Sequence, residues 1–296
     1  MIRNAGRGVH CGGPFRRIRA MRAAAFQFDV RSDDPDHNLA TVEAGLRRAA
    51  DEGVAIVSLP EMWPTSFADV AGKRAELLER TRAAWDAVTA WSAELGLCVG
   101  GSGFGDSEDP DRLVNRYRLI DRGECVLTYD KVHLFTPTAE GKNFVAGDDA
   151  PGVVETSAGR VSCAVCYDLR FPEATRPSFA QGVQLLLIGA QWPSPRAAHW
   201  RALSIARAIE NQCFVIATNR TGTEVIGRKQ RQLDFPGNSL IVSPHGEVLT
   251  EGQGEDGLIL ADLDLEEARH YRVRVPVEKD RRPDVYARWS AEEASR

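Results

Sequence analysis

Apolar and polar positions follow two different patterns along the chain. The run VAIVSL at 54–59 is continuously apolar, which is typical of a strand buried on both faces of a sheet. The segment before it instead carries apolar residues at every third or fourth position, namely Leu39, Val42, Leu46 and Ala49. This spacing predicts a helix that begins after Asp33-Asp34-Pro35 and ends at Gly53.

The same two patterns recur to the end of the sequence. Strands are predicted at 23–30, 54–59, 97–101, 114–120, 125–129, 183–188, 213–218, 239–242, 247–250 and 257–263, and a hairpin at 157–160 leads into another that ends at Cys166. Further helices are predicted at 70–95 (in two pieces), 172–181, 195–211 and 264–271, with a long polar loop at 219–237 and an irregular charged tail. This alternation predicts one α/β domain, residues 21–272, with a two-layered sheet core and helices outside.

Composition narrows the class of protein. The 37 basic and 42 acidic residues give a net charge of −5, and no basic stripe interleaved with aromatic residues is present, which argues against nucleic acid as a partner. No apolar run approaches the roughly 20 residues that span a bilayer, so we expect a soluble protein and no membrane partner. Six cysteines are too few for a disulfide framework in a chain of 296 residues, which favours a reducing, cytoplasmic setting.

The first 20 residues differ from the rest, because they contain five arginines and no acidic residue. They lack the apolar core of a secretory signal. We interpret residues 1–20 as a disordered or non-native extension, with a transit peptide as the alternative.

The candidate chemistry centres on VSCAVCYDLRFPE at 161–173, where an apolar run ends at Cys166. This layout is typical of a nucleophile at the carboxyl end of a buried strand. An ordinary thiol, with a pKa of about 8.5, is mostly protonated at neutral pH and needs a base or a cation nearby. Glu61 and Lys131 also follow predicted strands, and the carboxyl ends of parallel strands converge on one rim. The carboxylate can take the thiol proton while the ammonium stabilises an oxyanion.

Cys163 and Cys166 also form a C-x-x-C pattern, which suggests a redox function as a rival. On an extended strand, positions three apart face opposite sides of the sheet, so their sulfur atoms cannot bond. We therefore predict that Cys163, like Cys98, Cys125 and Cys213, is a small buried hydrophobic residue. His133 and His199 are interpreted as structural.

Three segments, LPEMW at 59–63, YDKVHLF at 129–135 and CYDLRFPE at 166–173, resemble the nitrilase superfamily of carbon–nitrogen hydrolases. AFQFDV at 25–30, the stretch 191–220 and DRRPDVY at 280–286 agree with this resemblance, which covers residues 21–290. The resemblance implies a four-layer α-β-β-α sandwich.

The resemblance also implies the roles of individual residues. Glu61 is expected to be the general base, Lys131 the oxyanion stabiliser and Cys166 the nucleophile that forms a thioester. Glu140, in HLFTPTAEGKNF, is expected to position the substrate and the lysine. The backbone amide of Tyr167 would complete the oxyanion hole, because the residue after a nucleophile at such a turn often presents its N–H there.

Within the superfamily, the chain is similar to the omega-amidase branch, which hydrolyses terminal amides of small dicarboxylic acids such as 2-oxoglutaramate. Arg170 is a candidate for binding the substrate carboxylate, or else for pairing with Asp168 or Glu173. Trp192 either walls the pocket or packs under the following helix. A nitrile or an N-carbamoyl amine is the alternative substrate class, and a catalytically silent binding protein is the alternative of another kind.

The expected partners are few. The glycines between residues 100 and 105 lead into acidic residues and not into a helix, so they do not predict a phosphate site. No metal or organic cofactor is expected. By resemblance, we expect a homodimer or a larger homo-oligomer, with the tail at 273–296 packing at a subunit interface.

Overall fold

The computed structural model describes residues 20–226 and 231–294 of the chain, so the predicted N-terminal extension lies almost entirely outside the described residues. The first half alternates strands with helices and ends in an antiparallel hairpin. Its elements are β1 (Met21–Gln27), α1 (Pro35–Asp51), β2 (Val54–Ser58), α2 (Arg74–Leu95), β3 (Cys98–Gly105), β4 (Val114–Asp121) and β5 (Glu124–Asp130).

The second half repeats the alternation, contains three antiparallel hairpins and ends in a helical tail. Its strands are β6 (Val154–Thr156), β7 (Gly159–Val165), β8 (Leu185–Ala190), β9 (Phe214–Asn219), β10 (Thr221–Ile226), β11 (Arg231–Pro236), β12 (Leu240–Val242), β13 (Val248–Glu251) and β14 (Gly257–Leu263). Its helices are α3 (Pro172–Ala180), α4 (Ala197–Asn211), α5 (Leu265–Arg274), α6 (Val277–Asp280) and α7 (Pro283–Ala294).

Twelve of these strands form two six-stranded sheets. The first has the order β14-β1-β2-β3-β4-β5 and the second the order β13-β12-β9-β8-β7-β6. The central strands β1-β2-β3 and β7-β8-β9 are parallel, and the outer strands are antiparallel. Parallel strands need both faces covered, which explains the continuous apolar runs in the sequence.

The two sheets pack face to face with helices on their outer surfaces. Ala23 of β1 and Leu187 of β8 belong to one buried cluster between the sheets. The next residue, Ala24, points the other way into a cluster with Leu46 of α1 and Trp85 of α2. Helices α3 and α4 contact β7 and β9 on the second sheet. The four-layer α-β-β-α sandwich is therefore confirmed.

The predicted polar loop at 219–237 is wrong, because β10 and β11 pair there as an antiparallel hairpin. The hairpin was not predicted because its pattern of buried and exposed residues is the reverse of the usual one. Glu224 of β10 is buried, whereas the neighbouring Val225 is 53% exposed. The inward side chain is held by the charge of Arg220 instead of by apolar contacts, so hydrophobic alternation does not reveal the strand.

Other predictions of local structure also need correction. Helix α2 is one continuous helix, and the segment 273–296, predicted to be irregular, contains α6 and α7. Strand β3 continues through the glycines to Gly105. The Tyr117 hydroxyl packs against Gly100, where an added Cβ would lie 2.2 Å from the hydroxyl oxygen. Cys125, predicted to be buried, is exposed. None of the described helices is long and apolar enough to cross a membrane.

Candidate active site

The three residues predicted from strand ends do meet, but not on one rim of a single sheet as the sequence suggested. Glu61 follows β2 and Lys131 follows β5, both in the first sheet, whereas Cys166 follows β7 in the second. The carboxyl ends of β2, β5 and β7 lie at the same end of the sandwich. The site is therefore built between the two sheets, and each sheet contributes part of it.

Lys131 is the centre of a buried ionic cluster. Its Nζ atom lies 2.9 Å from Glu61 Oε1, 2.8 Å from Glu140 Oε1 and 3.0 Å from Glu140 Oε2. Lys131 and Glu61 are each 1% exposed. Glu140 also accepts the backbone N–H of Phe135 at 2.5 Å, which fixes the loop that carries it. The structure thus brings Glu140 to the lysine, as the resemblance implied.

Two residues that the sequence did not single out hold Glu61 in place. Asn115 of β4 donates its side-chain N–H to Glu61 Oε1 at 2.9 Å. Gln191, directly after β8, donates its backbone N–H to Glu61 Oε2 at 3.1 Å. Both residues lie at strand ends next to the predicted site residues, and this position was the feature of the sequence that could have identified them. Oε1 accepts from both Lys131 and Asn115, so Oε2 is the less occupied oxygen.

Cys166 opens a 3₁₀ turn, Cys166–Arg170, directly at the end of β7. Its φ of 45° places a non-glycine residue in the left-handed region, which is a strained conformation common at functional sites. Its Sγ lies 4.0 Å from the backbone oxygen of Gln191, and the Glu61 carboxylate is close enough to influence the pKa of the thiol. The sharp turn therefore presents the sulfur atom to the carboxylate.

The electrostatics of the cluster favour a neutral thiol at rest. Burial raises the pKa of the Cys166 thiol well above its ordinary value, and the negative charge of Glu61 raises it further. Burial also raises the pKa of Glu61, an effect that Lys131 partly opposes. Burial lowers the pKa of Lys131, but Glu61 and Glu140 outweigh this effect, so the pKa is raised and the ammonium stays charged. This setting disfavours a free thiolate, and Glu61 is the neighbouring group that could accept the thiol proton.

Asp168 ties the Lys131 segment to the Cys166 segment. Its fully buried carboxylate accepts the Val165 backbone N–H at 3.1 Å and the Tyr129 hydroxyl at 2.9 Å. The other oxygen is 3.0 Å from the His133 backbone nitrogen and 2.8 Å from His133 Nδ1. Tyr129 and His133 flank Lys131, and Val165 precedes Cys166. His133 is structural in this sense, as predicted from the sequence.

A narrow cavity of about 30 Å³ opens above the sulfur atom of Cys166. Its walls are formed by Phe135, Cys166, Tyr167, Arg170, Gln191, Trp192, Pro193 and Arg196. Among these, Arg196 was not singled out from the sequence. Its guanidinium lies 5.3 Å from the ring centroid of Phe135. The cavity therefore combines aromatic walls with two cationic groups.

Arg170 and Trp192 lie together at this cavity. The guanidinium of Arg170 stacks 4.7 Å from the ring centroid of Trp192 and lies 3.3 Å from His199 Nδ1. In the described part of the chain, it forms no ion pair with Asp168 or Glu173, the structural alternative predicted for it. Trp192 fulfils both of its predicted alternatives, since it lines the cavity and packs on Trp200 of α4 at 5.6 Å.

The rival redox arrangement is not formed. Cys163 and Cys166 are both free thiols, and Cys163 is fully buried within β7. Among residues 20–226 and 231–294, no group of three or more His, Cys, Asp or Glu side chains is arranged to hold a metal ion. The chemistry that the described groups can perform is nucleophilic attack by a thiol, with a carboxylate as proton acceptor and an ammonium beside it.

This fold and this arrangement of glutamate, lysine and cysteine define a thiol-dependent hydrolase. The family model described as carbon-nitrogen hydrolase matches residues 22–273, and the chain belongs to that family. It is therefore a hydrolase that acts on carbon–nitrogen bonds other than peptide bonds.

Two curated relatives are similar over most of their length. The 2-oxoglutaramate amidase of Bacillus subtilis (strain 168) is 35% identical over 266 residues, which cover 89% of this chain and 98% of the relative. The omega-amidase YafV of Yersinia enterocolitica is 38% identical over 226 residues, covering 76% and 83%.

Solved structures show the same fold. An amidase of Nesterenkonia AN1 from the nitrilase superfamily matches with a TM-score of 0.80 and 29% identity, over 94% of this chain and all of that chain. A variant of the amidase from Nesterenkonia sp. AN1 carries the acetamide moiety of fluoroacetamide covalently added at its active-site cysteine (TM-score 0.79, 28% identity, 94% and 100% coverage). The relatives thus support amide hydrolysis through a cysteine.

Proposed function

We propose that this chain hydrolyses the terminal amide of a small molecule that carries a carboxylate at its other end, as 2-oxoglutaramate does. The observation that carries this proposal is the presence of Arg170 and Arg196 at the cavity of Cys166. In the described residues, neither guanidinium is paired with a carboxylate of the chain. Two cations without such partners, at the mouth of a small cavity, suit an anionic substrate.

The proposed reaction begins when Cys166 attacks the amide carbonyl and its proton passes to Glu61. Oε2 of Glu61 is the proposed acceptor, because Oε1 is already engaged by Lys131 and Asn115. The negative charge that develops on the carbonyl oxygen is stabilised by Lys131 and the Tyr167 backbone N–H. That N–H lies at the start of the 3₁₀ turn, where backbone donors lack acceptors within the helix.

The tetrahedral intermediate collapses when the carbon–nitrogen bond breaks and Glu61 returns the proton to nitrogen, which leaves as ammonia. A water molecule then loses a proton to Glu61 and attacks the thioester, and the thiol of Cys166 is restored as the acid is released. Glu140 keeps Lys131 charged and oriented throughout. The net reaction consumes one water and needs no further reactant.

A simpler substrate class is the second candidate. Structures of the Nesterenkonia sp. AN1 amidase hold acrylamide or butyramide, which are uncharged amides. Such a molecule carries no charge and would leave Arg170 and Arg196 without a role in binding. Comparing charged with uncharged amides therefore separates the two candidates.

The test is a panel in which ammonia release is measured from 2-oxoglutaramate, butyramide, a nitrile and a carbamoyl amino acid. We expect the highest kcat/KM with 2-oxoglutaramate and no release by Cys166→Ala protein. A preference for butyramide would replace the proposal by its alternative. Cys166→Ala protein that keeps full activity would overturn the mechanism, and release from none of the panel by folded protein would favour a binding role.

We also propose that the chain forms a homodimer or a larger assembly through its C-terminal segment. Four apolar side chains there are exposed, with Val273 at 74%, Trp289 at 60%, Val275 at 43% and Tyr286 at 38%. Exposed aromatic residues of this kind are enriched at protein interfaces. Light scattering should give a multiple of the 32.5 kDa chain mass, reduced by Trp289→Glu, and a monomeric wild-type mass would contradict this.

A cytoplasmic location is proposed from the thiols. Cys98, Cys125, Cys163, Cys166 and Cys213 are all free, and unpaired thiols persist in reducing compartments. Cell fractionation that recovers the protein from an oxidising compartment would contradict this location.

A further inference from the structure

Arg220, directly after β9, is a buried charge that the proposed reaction does not use. It is 1% exposed. Its Nη2 atom lies 2.8 Å from Asp29 Oδ1, and its Nη1 atom lies 2.5 Å from Glu224 Oε2. The guanidinium also stacks 4.6 Å from the ring centroid of Phe235. Two ion pairs and an aromatic ring therefore restrain the orientation of this guanidinium.

The same guanidinium contacts the residue that borders the reacting groups. Arg220 Nη1 donates to the side-chain oxygen of Gln191 at 3.1 Å. The side-chain nitrogen of Gln191 donates to the backbone oxygen of Glu61 at 3.0 Å, and its backbone N–H donates to Glu61 Oε2 at 3.1 Å. The Gln191 backbone oxygen lies 4.0 Å from Cys166 Sγ. Gln191 thus touches both the proton donor and the proton acceptor.

We propose that Arg220 is a positioning residue that acts through Gln191 to aim Oε2 of Glu61 at the thiol of Cys166. The inference rests on the roles that the proposed function gives to Glu61 and Cys166. Arg220 fixes the side chain of Gln191, and the side chain fixes the backbone segment whose N–H and oxygen face the two groups.

Arginine is suited to this task for a physical reason. Its planar group presents five donors in a rigid fork, whereas lysine offers a compact charge on a flexible stem. Asp29 and Glu224 balance the buried charge, so lysine at this position keeps the ion pairs but cannot hold Gln191 in the same geometry. Arg220→Lys therefore changes geometry while it preserves the charge.

The effect is measurable as a change in pH dependence. The groups around the Glu61 carboxylate are Lys131, Glu140 and Cys166, and all three remain in the variant. A backbone N–H donated to a carboxylate stabilises its charged form. When the Gln191 N–H moves away, the pKa of Glu61 rises. The acid limb of the pH–rate profile then moves to higher pH for any reaction that needs ionised Glu61.

The test is the rate at which iodoacetamide alkylates Cys166, which the reagent reaches through the cavity, followed between pH 4 and 9 by mass spectrometry of the Cys166 peptide, because the exposed Cys125 will react as well. This readout does not depend on which amide is the substrate. We expect Arg220→Lys to move the acid limb to higher pH and to slow alkylation at neutral pH about tenfold, the scale of one lost charge-assisted hydrogen bond. Wild-type protein without activity on the amide panel would overturn the proposed function but not this expectation.

Arg272→Lys is the matched control, because Arg272 is a partly buried arginine bonded to backbone oxygens at the other end of the second sheet. Arg272→Lys should leave the acid limb of the alkylation profile unchanged even if it lowers Tm.

Gln191→Met provides a second experiment. If Arg220 acts through Gln191, Cys166 in the double variant Arg220→Lys/Gln191→Met should be alkylated no more slowly than in Gln191→Met alone. An unmoved acid limb in Arg220→Lys, or rate losses that multiply in the double variant, would overturn the inference.

Discussion

Lys131 and Glu140 are joined by two hydrogen bonds, since the Nζ atom lies 2.8 Å and 3.0 Å from the two carboxylate oxygens. They are nine positions apart in sequence, and the intervening segment turns back so that both side chains are buried. With Glu61 on its other side, Lys131 lies between two carboxylates. This ion triplet leaves one net negative charge beside the neutral thiol, so forming a thiolate without transferring its proton to Glu61 is disfavoured.

Glu140→Gln should therefore lower kcat more than it changes KM. The amide still accepts a hydrogen bond from Lys131, but its nitrogen cannot accept the Phe135 N–H that now donates to Oε2. We expect kcat to fall about 10²-fold, comparable to the loss of an oxyanion donor. Steady-state ammonia release measures this. Glu76→Gln, at an exposed ion pair with Arg80, is the control, and an equal loss in both would contradict the assignment.

Strand ends and short motifs predicted the three residues that lie together between the sheets. Glu61 and Cys166 each follow a continuous apolar run, which is readable because the parallel strands β2 and β7 are covered on both faces. Lys131 follows the antiparallel edge strand β5, which was predicted from its alternation and the turn before it. The resemblance added Glu140, which lies in a loop without periodicity. The pairing of two sheets around the site was not readable from strand ends, because local patterns do not state which sheet a strand joins.

Other features escaped prediction because their partners are polar or distant in sequence. Asn115 and Gln191 are defined only by hydrogen bonds to Glu61 across the fold. The hairpin β10–β11 buries Glu224 against Arg220, so its pattern is the reverse of an amphipathic strand. Cys125 lies in an apolar stretch of an edge strand, where one face remains open to solvent.

Glu61 should limit activity in acid and lower stability at neutral pH. Burial raises its pKa above the ordinary 4.5, so the folded protein binds this proton more tightly than the unfolded chain. The stability from this group is complete below pH 4.5 and declines as pH rises through the folded pKa. Glu61→Gln should thus gain stability relative to wild type as pH rises above 4.5, while kcat falls about 10²- to 10⁴-fold. Thermal melts across pH that show the opposite trend would refute this.

Asp168→Asn should destabilise the protein and impair catalysis together. The carboxylate accepts hydrogen bonds from Val165, Tyr129 and His133. In asparagine one of the two oxygens is replaced by an NH2 group, which cannot accept a hydrogen bond from the donors that face it. Leaving such donors unsatisfied costs about 1–3 kcal/mol in unfolding free energy. Urea denaturation measures this cost. Tyr129→Phe removes one of these bonds and should cost about 1 kcal/mol, so an equal or larger loss in Tyr129→Phe would argue against Asp168 as the common acceptor.

Gly189→Ala should disturb the site from inside the sheet. A Cβ on Gly189 of β8 would lie 2.8 Å from the backbone oxygen of Leu59 and 3.3 Å from the backbone nitrogen of Glu61. The methyl group must therefore push the turn that carries Glu61, and such overpacking costs about 1–3 kcal/mol. We expect a lower Tm and a lower kcat. Gly257→Ala in β14, where nothing lies within 4 Å of the added Cβ, should change neither.

Arg170→Gln and Arg196→Gln should each raise KM for an amide with a distal carboxylate and leave kcat/KM for butyramide nearly unchanged. A charge-assisted hydrogen bond is worth about 1.5–3 kcal/mol, which corresponds to a rise in KM of at least tenfold. Arg201→Gln on α4, at an ion pair with Glu251, is the control. If butyramide hydrolysis falls as steeply as hydrolysis of the charged amide, the two arginines only shape the cavity. In that case the aromatic walls, and not charge, select the substrate.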